Sequence, residues 1–235
     1  MNYKMPFRCR LQKMRIENLK NVACGNIRFA CNTYSDIFRN EADILGVYGQ
    51  NGSGKTTLMK ALLGLHTPIS GKIETGDGLK QTEIGYLPQQ TVVQKDFPAS
   101  VGEIVISGCL SRSGYRPFFS KEEKQLAKES MEKMGISDLE KRCYRELSGG
   151  QQQRTLLARA ICATRKMLLL DEPVSGLDPK VTAEMYELIN RLHKDDGITV
   201  IMISHDMAAA EKYASHILHI GEPMFFGTKE EYFFR

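Results

Sequence analysis

The chain has 235 residues, which suits one domain with a sizeable hydrophobic core. Its 42% hydrophobic and 26% charged residues exclude a disordered chain, and its net charge of +4 is only a mild basic excess. No apolar run approaches the ~18 residues of a membrane span and no apolar signal core follows the first residues, so we expect a soluble, cytoplasmic protein that reaches a membrane only through a partner.

The first residues are basic, with Lys4, Arg8, Arg10, Lys13 and Arg15 falling close together. A basic segment can contact nucleic acid or an anionic membrane surface. A solvent-exposed strand edge is the more common explanation of such a charge run, and the sequence leaves both interpretations open.

Short strands are predicted in the first part of the chain, over Leu11–Glu17 and Asn26–Cys31. An apolar run at Ile44–Tyr48 then meets a glycine-rich loop, and the next segment, about Lys55–Leu65, has the pattern of a helix. A further strand is predicted at Ile84–Leu87. The segment from Ile44 to about Leu65 is thus predicted to be a strand–loop–helix unit.

The next part of the chain is predicted to be helical. Ser120 and Glu123 form a capping-box pattern at the start of one helix, and Gly135 ends it. A second strong helix is predicted over Leu147–Ala163, followed by an apolar strand at Met167–Leu170.

The last part repeats the alternation of helix and buried strand. Asp178 followed by Pro179 indicates a helix start, and Ile198–Ile203 is another strand of the buried type. A short helix, a hairpin and a tail helix close the chain. Buried strands that alternate with helices indicate an α/β protein with a parallel sheet.

The glycine-rich loop after Ile44–Tyr48 fits the pattern G-x-x-x-x-G-K-[ST] at every required position. Its glycines let the backbone approach an anion, and its amides lie at a helix N-terminus, where the dipole favours negative charge. Lys55 would reach the outer phosphates of a nucleoside triphosphate, and the Thr56 hydroxyl is placed for Mg²⁺. The residues assigned to this phosphate site are Gly49, Gln50, Asn51, Gly52, Ser53, Gly54, Lys55, Thr56 and Thr57.

Two carboxylates, Asp171 and Glu172, end the strand that begins at Met167. Because the carboxyl ends of parallel strands meet at one edge of a sheet, both should lie near the phosphate loop. Asp171 would hold Mg²⁺ directly or through water, and Glu172 would polarise the attacking water as a general base. An ordinary strand followed by an acidic turn is the structural alternative.

The segment Ser148-Gly149-Gly150-Gln151 has two interpretations of equal weight on physical grounds. Ser148 and Gln151 fit a capping box, which needs no ligand. The serine hydroxyl, the glycine amides and the helix N-terminus also fit a second anion site. Two phosphate-facing surfaces on one chain would then indicate a symmetric pair in which each copy completes the site of the other.

With these motifs in order, the chain resembles the ABC ATPase family over nearly its whole length. The matching elements are the Walker A loop at Gly49–Thr56, the Q-loop glutamine at Gln89, the signature at Leu147–Gln151, the acidic strand at Met167–Glu172, the D-loop at Ser175–Asp178 and the switch histidine at His205.

The resemblance implies a role for each matched residue. Gln89 would contact Mg²⁺ and report the nucleotide state to a transmembrane partner. His205, which taken alone would be a structural histidine at a strand end, would touch the γ-phosphate and help to order the water. Asp178 would cross the interface between two copies. The implied catalytic residues are Glu172, His205 and Lys55, and the implied Mg²⁺ ligands are Thr56, Gln89 and Asp171.

The resemblance also implies a head-to-tail homodimer that closes around two ATP molecules, each between Lys55 of one copy and Ser148 of the other. An integral membrane permease would convert closing and opening into work, and an extracytoplasmic binding protein would take part indirectly. The chain itself would be peripheral on the inner face of the cell membrane.

The implied fold is α/β, with a P-loop NTPase core around a mainly parallel sheet, an N-terminal antiparallel β subdomain and a helical subdomain. It forms a single ABC ATPase domain over 7–235. The expected divisions are about 7–48 for the β subdomain, 49–88 and 165–235 for the core, and about 89–164 for the helical and signature subdomain.

A chain with one cassette, no membrane segment and no long coiled coil resembles the separate ATPase subunits of bacterial importers. The stretches Gly85–Gln90, Asp96–Val101 and Cys143–Leu147 are similar to those of the zinc/manganese importer ATPases. In such a system the permease and a binding protein handle the metal.

One segment departs from the importer pattern. Met14–Gly25 lacks the aromatic–glycine step that precedes adenine stacking, and resembles the opening of DNA-repair and chromosome-type ABC ATPases. Phe29, Tyr34 and Phe38 remain alternative adenine contacts. The competing function is therefore a soluble ABC ATPase acting on nucleic acid. A nucleotide-gated module without turnover is disfavoured by the intact acidic and histidine positions.

Overall fold

The computed structural model describes residues 14–17, 35–36, 44–67, 72–75, 79–89, 96–110, 116–164, 166–221 and 223–234. The predicted strand over 26–31 lies outside these residues. The alternative adenine contacts Phe29, Tyr34 and Phe38 lie outside them too, as do Lys4, Arg8, Arg10 and Lys13 of the basic segment.

The described chain alternates strands and helices. The strands are β1 (Met14–Glu17), β2 (Ser35–Asp36), β3 (Ile44–Tyr48), β4 (Lys72–Thr75), β5 (Ile84–Leu87), β6 (Met167–Asp171), β7 (Thr199–Ile203), β8 (His216–His219) and β9 (Phe225–Thr228). The helices are α1 (Lys55–Leu62), α2 (Val101–Ile106), α3 (Lys121–Lys133), α4 (Gly149–Ala163), α5 (Pro179–Lys194), α6 (Met207–Tyr213) and α7 (Lys229–Phe233).

The larger sheet has six strands in the order β5-β6-β7-β3-β8-β9. Its first five strands run parallel, and β9 closes it antiparallel to β8. Every residue of β3, β6 and β7 is buried, as expected for central strands covered on both faces. The predicted mainly parallel α/β fold is confirmed.

The parallel register brings the carboxyl ends of the central strands to one edge. Asp171 of β6 pairs with Ile203 of β7, and Val47 of β3 pairs with the same residue from the other side. The phosphate loop, the acidic pair and the segment before α6 all begin at this edge, so residues distant in sequence converge there.

The smaller sheet is antiparallel, with the order β2-β1-β4. Met14 of β1 pairs with Thr75 of β4, and Arg15 of β1 pairs with Asp36 of β2. Strand β4 falls in the range 49–88 that we expected to belong to the core. Strand β3, at the end of the expected β subdomain, belongs to the larger sheet.

Two helix boundaries differ from the sequence prediction, each for a local reason. Helix α1 ends at Leu62 because Gly64 adopts a left-handed conformation (φ 71°). The Leu65 amide then donates to the carbonyl of Lys60 at 2.8 Å, which closes the helix before residue 65. Helix α4 begins at Gly149 because Ser148 is its N-cap.

Alternate residues of the strands enter two apolar clusters on opposite faces of the larger sheet. Leu168 and Leu170 pack with helices α2 to α5, whereas Met167 and Leu169 pack with α1. This double cover leaves the carboxyl edge of the sheet as the place where polar groups reach the surface. Among the described helices, none is long and apolar enough to cross a membrane.

Candidate active site

The loop between β3 and α1 curls around the Lys55 ammonium. Lys55 Nζ donates to the carbonyls of Gly49 at 2.8 Å and Gln50 at 2.9 Å. A Cβ on Gly49, which has φ 148°, would lie 2.4 Å from the carbonyl oxygen of Ile220, so only glycine fits where the chain turns. The lysine side chain is thus fixed at the entrance to α1.

The N-terminus of α1 differs from those of the other described α-helices. Its N-cap, Gly54, supplies no side-chain hydrogen bond, so the amides of the first turn remain available to an anion. In the other described helices a side-chain oxygen of the N-cap accepts from the first turn. Those N-caps are Ser100, Ser120, Ser148, Asp178, Asp206 and Thr228.

A buried carboxylate lies beside the loop. Asp171 is 2% exposed, and the Thr56 hydroxyl donates a hydrogen bond to it. Burial and the neighbouring Glu172 carboxylate raise the pKa of Asp171, against the effects of Thr56 and Lys55. Burial likewise lowers the pKa of Lys55, although both carboxylates oppose that shift.

The raised pKa means that the protein neighbours of Asp171 compensate the charge of its ionised form only in part. An acidic oxygen next to a threonine hydroxyl is the donor set that Mg²⁺ prefers. These residues fit the cation that the family implies, and the free amides of α1 fit the phosphates that accompany it.

Glu172 is held between the two side chains that the family resemblance associates with the nucleotide. Gln89 Nε2 donates to Glu172 Oε2 at 2.8 Å, and His205 Nε2 lies 3.0 Å from Glu172 Oε1. The Glu172 side chain is 20% exposed and that of His205 48%, so the carboxylate faces the opening of the site. Both of its oxygens are engaged by donors.

The backbone of Glu172 has φ 51°, a left-handed conformation that costs about 1–3 kcal/mol in a residue other than glycine. Its amide donates to the Ile203 carbonyl at 3.1 Å, and its carbonyl accepts from the Ser175 amide at 3.2 Å. These bonds maintain the conformation that turns the carboxylate away from β6 and towards Gln89 and His205.

These residues surround a cavity of about 550 Å³. Ser53 belongs to the same loop, and its buried hydroxyl has no hydrogen-bond partner within the described chain. The cavity is lined by Asn51, Gly52, Gly54, Lys55, Thr56, Thr57, Gln89, Glu172 and His205. The structure thus brings the predicted phosphate, base and switch residues together around one opening.

The signature residues lie elsewhere and do not line this cavity. Ser148 Oγ accepts from the Gln151 amide at 3.3 Å, and the Ser148 amide donates to Gln151 Oε1 at 3.0 Å. The capping box that the sequence allowed is therefore present. Ser148 and Gly149 are exposed at the surface, and so is Asp178, which caps the neighbouring helix α5 through the amides of residues 180 and 181.

Sequence reasoning missed two residues that position His205. The hydroxyl of Ser204, which is 3% exposed, accepts from the Asp206 amide and lies 3.1 Å from the Tyr186 hydroxyl. Asp206 caps α6 by accepting from the Ala209 amide. The sequence signal that could have identified Asp206 is its place directly before a helical segment, because aspartate is a common N-cap.

Comparison with known proteins agrees with this geometry. A family profile described as "ABC transporter" matches residues 37–175. The manganese transport system ATP-binding protein MntB of Bacillus subtilis is 40% identical over 181 residues, which are 76% of this chain and 72% of that protein. The zinc uptake system ATP-binding protein ZurA of Listeria innocua is 32% identical over 194 residues, 80% of this chain and 76% of that one.

A solved structure has the same fold at high similarity. It is an inward-facing ABC transporter assigned to the metal-chelate type, 33% identical, with a TM-score of 0.83 over 94% of this chain and 85% of that chain. The family match covers more than half of the sequence, and the site contains the nucleotide-binding elements in family order. The chain therefore belongs to the ABC transporter family, as one of its ATP-binding, ATP-hydrolysing proteins.

Proposed function

We propose that this chain powers a bacterial metal-ion importer of the zinc or manganese type by ATP-driven closing and opening of a dimer. The observation that carries the ATPase part is the Glu172 carboxylate, held by Gln89 and His205 at the mouth of the phosphate cavity. The similarity to ATP-binding proteins of a manganese system and a zinc system supports the choice of metal ions.

The side chains divide the chemistry among them. Lys55 and the amides of α1 bind the phosphates, and Glu172 accepts a proton from the attacking water as general base. His205 orients the γ-phosphate and the water. Thr56, Asp171 and Gln89 would hold Mg²⁺, which when bound neutralises charge on the phosphates.

The exposed signature residues support a paired site. Ser148, Gly149, Gly150 and Gln151 form a helix N-terminus that lies outside the cavity of their own chain. In a head-to-tail homodimer this surface covers the ATP bound by the other copy, with Asp178 at the interface. Closure then excludes water from a site that each copy alone leaves open.

An apolar groove supports a membrane partner. It has a volume of about 330 Å³, and its lining includes Pro88, Phe97, Ile104 and Leu156. Phe97 lines the groove and is 56% exposed, so it presents apolar surface to a partner. Pro88 directly precedes Gln89, so a permease segment seated here would sense the contact with Glu172. In that arrangement the chain would lie at the inner face of the cell membrane.

The expected subdomains remain part of this proposal. The phosphate cavity belongs to the core (49–88 and 165–235), whereas the groove and the signature lie mainly in the helical part (about 89–164). The proposed permease contact and the proposed dimer contact are thus both carried by the helical part.

The test is a tagged pull-down from the native cell in mild detergent, with mass spectrometry of the proteins that co-purify. We expect a multi-span membrane protein in near-equal amount, and metal-binding proteins encoded beside it. Phe97→Asp should lose this partner while keeping phosphate release in the purified chain. Phe118→Asp changes an apolar residue that is 82% exposed outside the groove, and serves as the control.

Two results would contradict the proposal. Recovery of nucleic acid or repair factors in place of a membrane protein would support the competing function and exclude the importer. If the wild-type chain, assayed in complex with its membrane partner, released no phosphate from ATP, the ATPase role would be excluded.

A further inference from the structure

The N-terminal ends of α4 and α5 run side by side. A Cβ on Gly149 would lie 3.4 Å from Leu177 Cδ2, and a Cβ on Gly150 would lie 2.6 Å from Val181 Cγ1. The second distance leaves room only for glycine, so the backbone of α4 approaches α5 closely at its first turn. The signature helix and the helix capped by the D-loop aspartate are therefore in contact where both begin.

Arg154 joins the same two helices further along. Its Nη2 donates to Glu184 Oε2 at 2.7 Å, and its Nη1 donates to the carbonyl of Met134 at 3.1 Å. Met134 is the C-cap of α3, whose last carbonyls have no partner inside the helix. One guanidinium thus fastens α4 both to α3 and to α5, which its planar fork of donors allows.

The two residues of the ion pair lie equally far along their helices from the N-caps. Arg154 comes six residues after the N-cap Ser148, and Glu184 comes six residues after the N-cap Asp178. At about 1.5 Å per residue, each charge lies about 9 Å along its helix from the cap. With the close contact near Gly150, the pair keeps the two caps level at one edge of the molecule.

We propose that Arg154 is a positioning residue that holds Ser148 and Asp178 level, so that both meet the second copy of the chain together. The inference rests on the proposed paired site, and Arg154 itself touches neither nucleotide nor reacting atoms. Its side chain is 23% exposed and that of Glu184 44%, so the pair is only partly screened by water.

A second ion pair provides a matched control. Lys133 Nζ binds Asp196 Oδ1, which joins the last turn of α3 to the turn after α5. It connects the same part of the molecule to α5 but at the opposite end of that helix from Asp178. Its loss should loosen the packing without tilting the caps.

The test uses the Glu172→Gln background, in which hydrolysis does not remove the ATP that holds a dimer. We expect Arg154→Met to raise the protein concentration for half-dimerisation with ATP about tenfold in light scattering, equivalent to about 1.4 kcal/mol. Glu184→Gln should act in the same direction and more weakly, and Lys133→Met should change the value less than about twofold. ATP binding by the separate subunit should not change in any of them, because the phosphate loop is untouched.

Arg154→Lys should recover part of the loss, because its ammonium reaches Glu184 but does not span both acceptors. Circular dichroism checks that each variant is folded. If Arg154→Met does not fold, the dimerisation of Glu184→Gln tests the role of the ion pair in its place. Equal dimerisation of Arg154→Met and its parent would overturn the proposal, and so would an equal loss in Lys133→Met. Failure of the Glu172→Gln parent to dimerise with ATP would overturn the paired site itself, and the role of Arg154 with it.

Discussion

The phosphate cavity and the signature edge (Ser148–Gln151) are both built on helix N-termini with glycines nearby, yet they are built in opposite ways. At the cavity, α1 begins without a side-chain cap, and Lys55, Thr56, Gln89, Glu172 and His205 all face one opening. At the signature edge, Ser148 caps its own helix and the residues face solvent. The first surface can bind an anion alone, whereas at the second the Ser148 hydroxyl already accepts from the Gln151 amide, and the signature residues do not line the phosphate cavity. The proposed paired site accounts for this difference, because in it the signature residues act against the second copy of the chain.

The largest expected effect comes from a change in the cavity that should stop ATP hydrolysis without preventing dimer closure. Glu172→Gln removes the proposed base and keeps the shape of the side chain, and its single amide oxygen can still accept from one of the two neighbours. Turnover should fall about 10²–10⁴-fold, the range for loss of a general base, while ATP binding persists and a closed dimer accumulates. Phosphate release and light scattering measure the two results. Glu187→Gln, at an exposed acid bound to Tyr213, is the control and should turn over normally. Wild-type turnover in Glu172→Gln would exclude the role given to this carboxylate.

A change at the signature edge should give the reverse result. Ser148→Arg puts a long cation at the proposed interface, and turnover should fall about 10²-fold, as for a misplacement of about 1 Å in a closed site. The isolated subunit should still bind ATP as before, because the cavity does not include this residue. The double variant with Glu172→Gln should stay monomeric.

Ser120→Arg is the matched control for that change. Ser120 and Glu123 form the same kind of capping box at the start of α3, away from the proposed interface. Both variants should lose about 1 kcal/mol of stability with the cap, but only Ser148→Arg should lose pairing. If the two variants dimerise alike, the signature edge is a cap and nothing more.

A smaller effect should come from the side chains that hold Glu172. Gln89→Ala removes one hydrogen bond to the carboxylate, and loss of a bond to a charged group is worth about 1.5–3 kcal/mol. Turnover should therefore fall about 10-fold or somewhat more, and ATP binding measured without Mg²⁺ should change little. Gln125→Ala removes a similar bond, from Gln125 Nε2 to Glu129 on α3, and should have no effect on turnover. An unchanged rate in Gln89→Ala would mean that the contact with Glu172 has no catalytic consequence.

The contrast between the two surfaces also shows which features a sequence can predict. Local signals were sufficient for the strand at Met167, the capping box at Ser120 and the helix that follows Asp178, because each depends on residues within one turn or strand. The end of α1 was predicted too late because its decisive signal, Gly64, lies within the apolar pattern that indicated the helix.

Contacts between distant segments could not be predicted in this way. Gln89 and Glu172 are 83 residues apart in the chain, and the pairing of Arg154 with Glu184 depends on how two helices pack. The left-handed backbone of Glu172 has no sequence signal either, since glutamate rarely adopts it and bonds from β7 and the following turn maintain it. Motif spacing named the functional residues, and the tertiary structure determined which of them touch.

The smallest expected effect concerns the charge that the cavity keeps buried. The pKa of Asp171 is raised by burial in the folded protein, so its contribution to stability is full below the pKa of the unfolded carboxyl and is lost as pH rises through the folded pKa. Above the folded pKa the ionised carboxylate therefore destabilises the nucleotide-free protein. Asp171→Asn should raise its Tm, by about 2–4 °C for each kcal/mol regained, and the gain should shrink as the pH is lowered towards the carboxyl range. Asp138→Asn, at an exposed residue, is the control.

With Mg²⁺ and ATP the order of the two Tm values should reverse, because the wild type gains binding energy that Asp171→Asn lacks. A Tm of Asp171→Asn below that of the wild type without nucleotide would show that the buried carboxylate is already compensated, and that the cavity needs no cation.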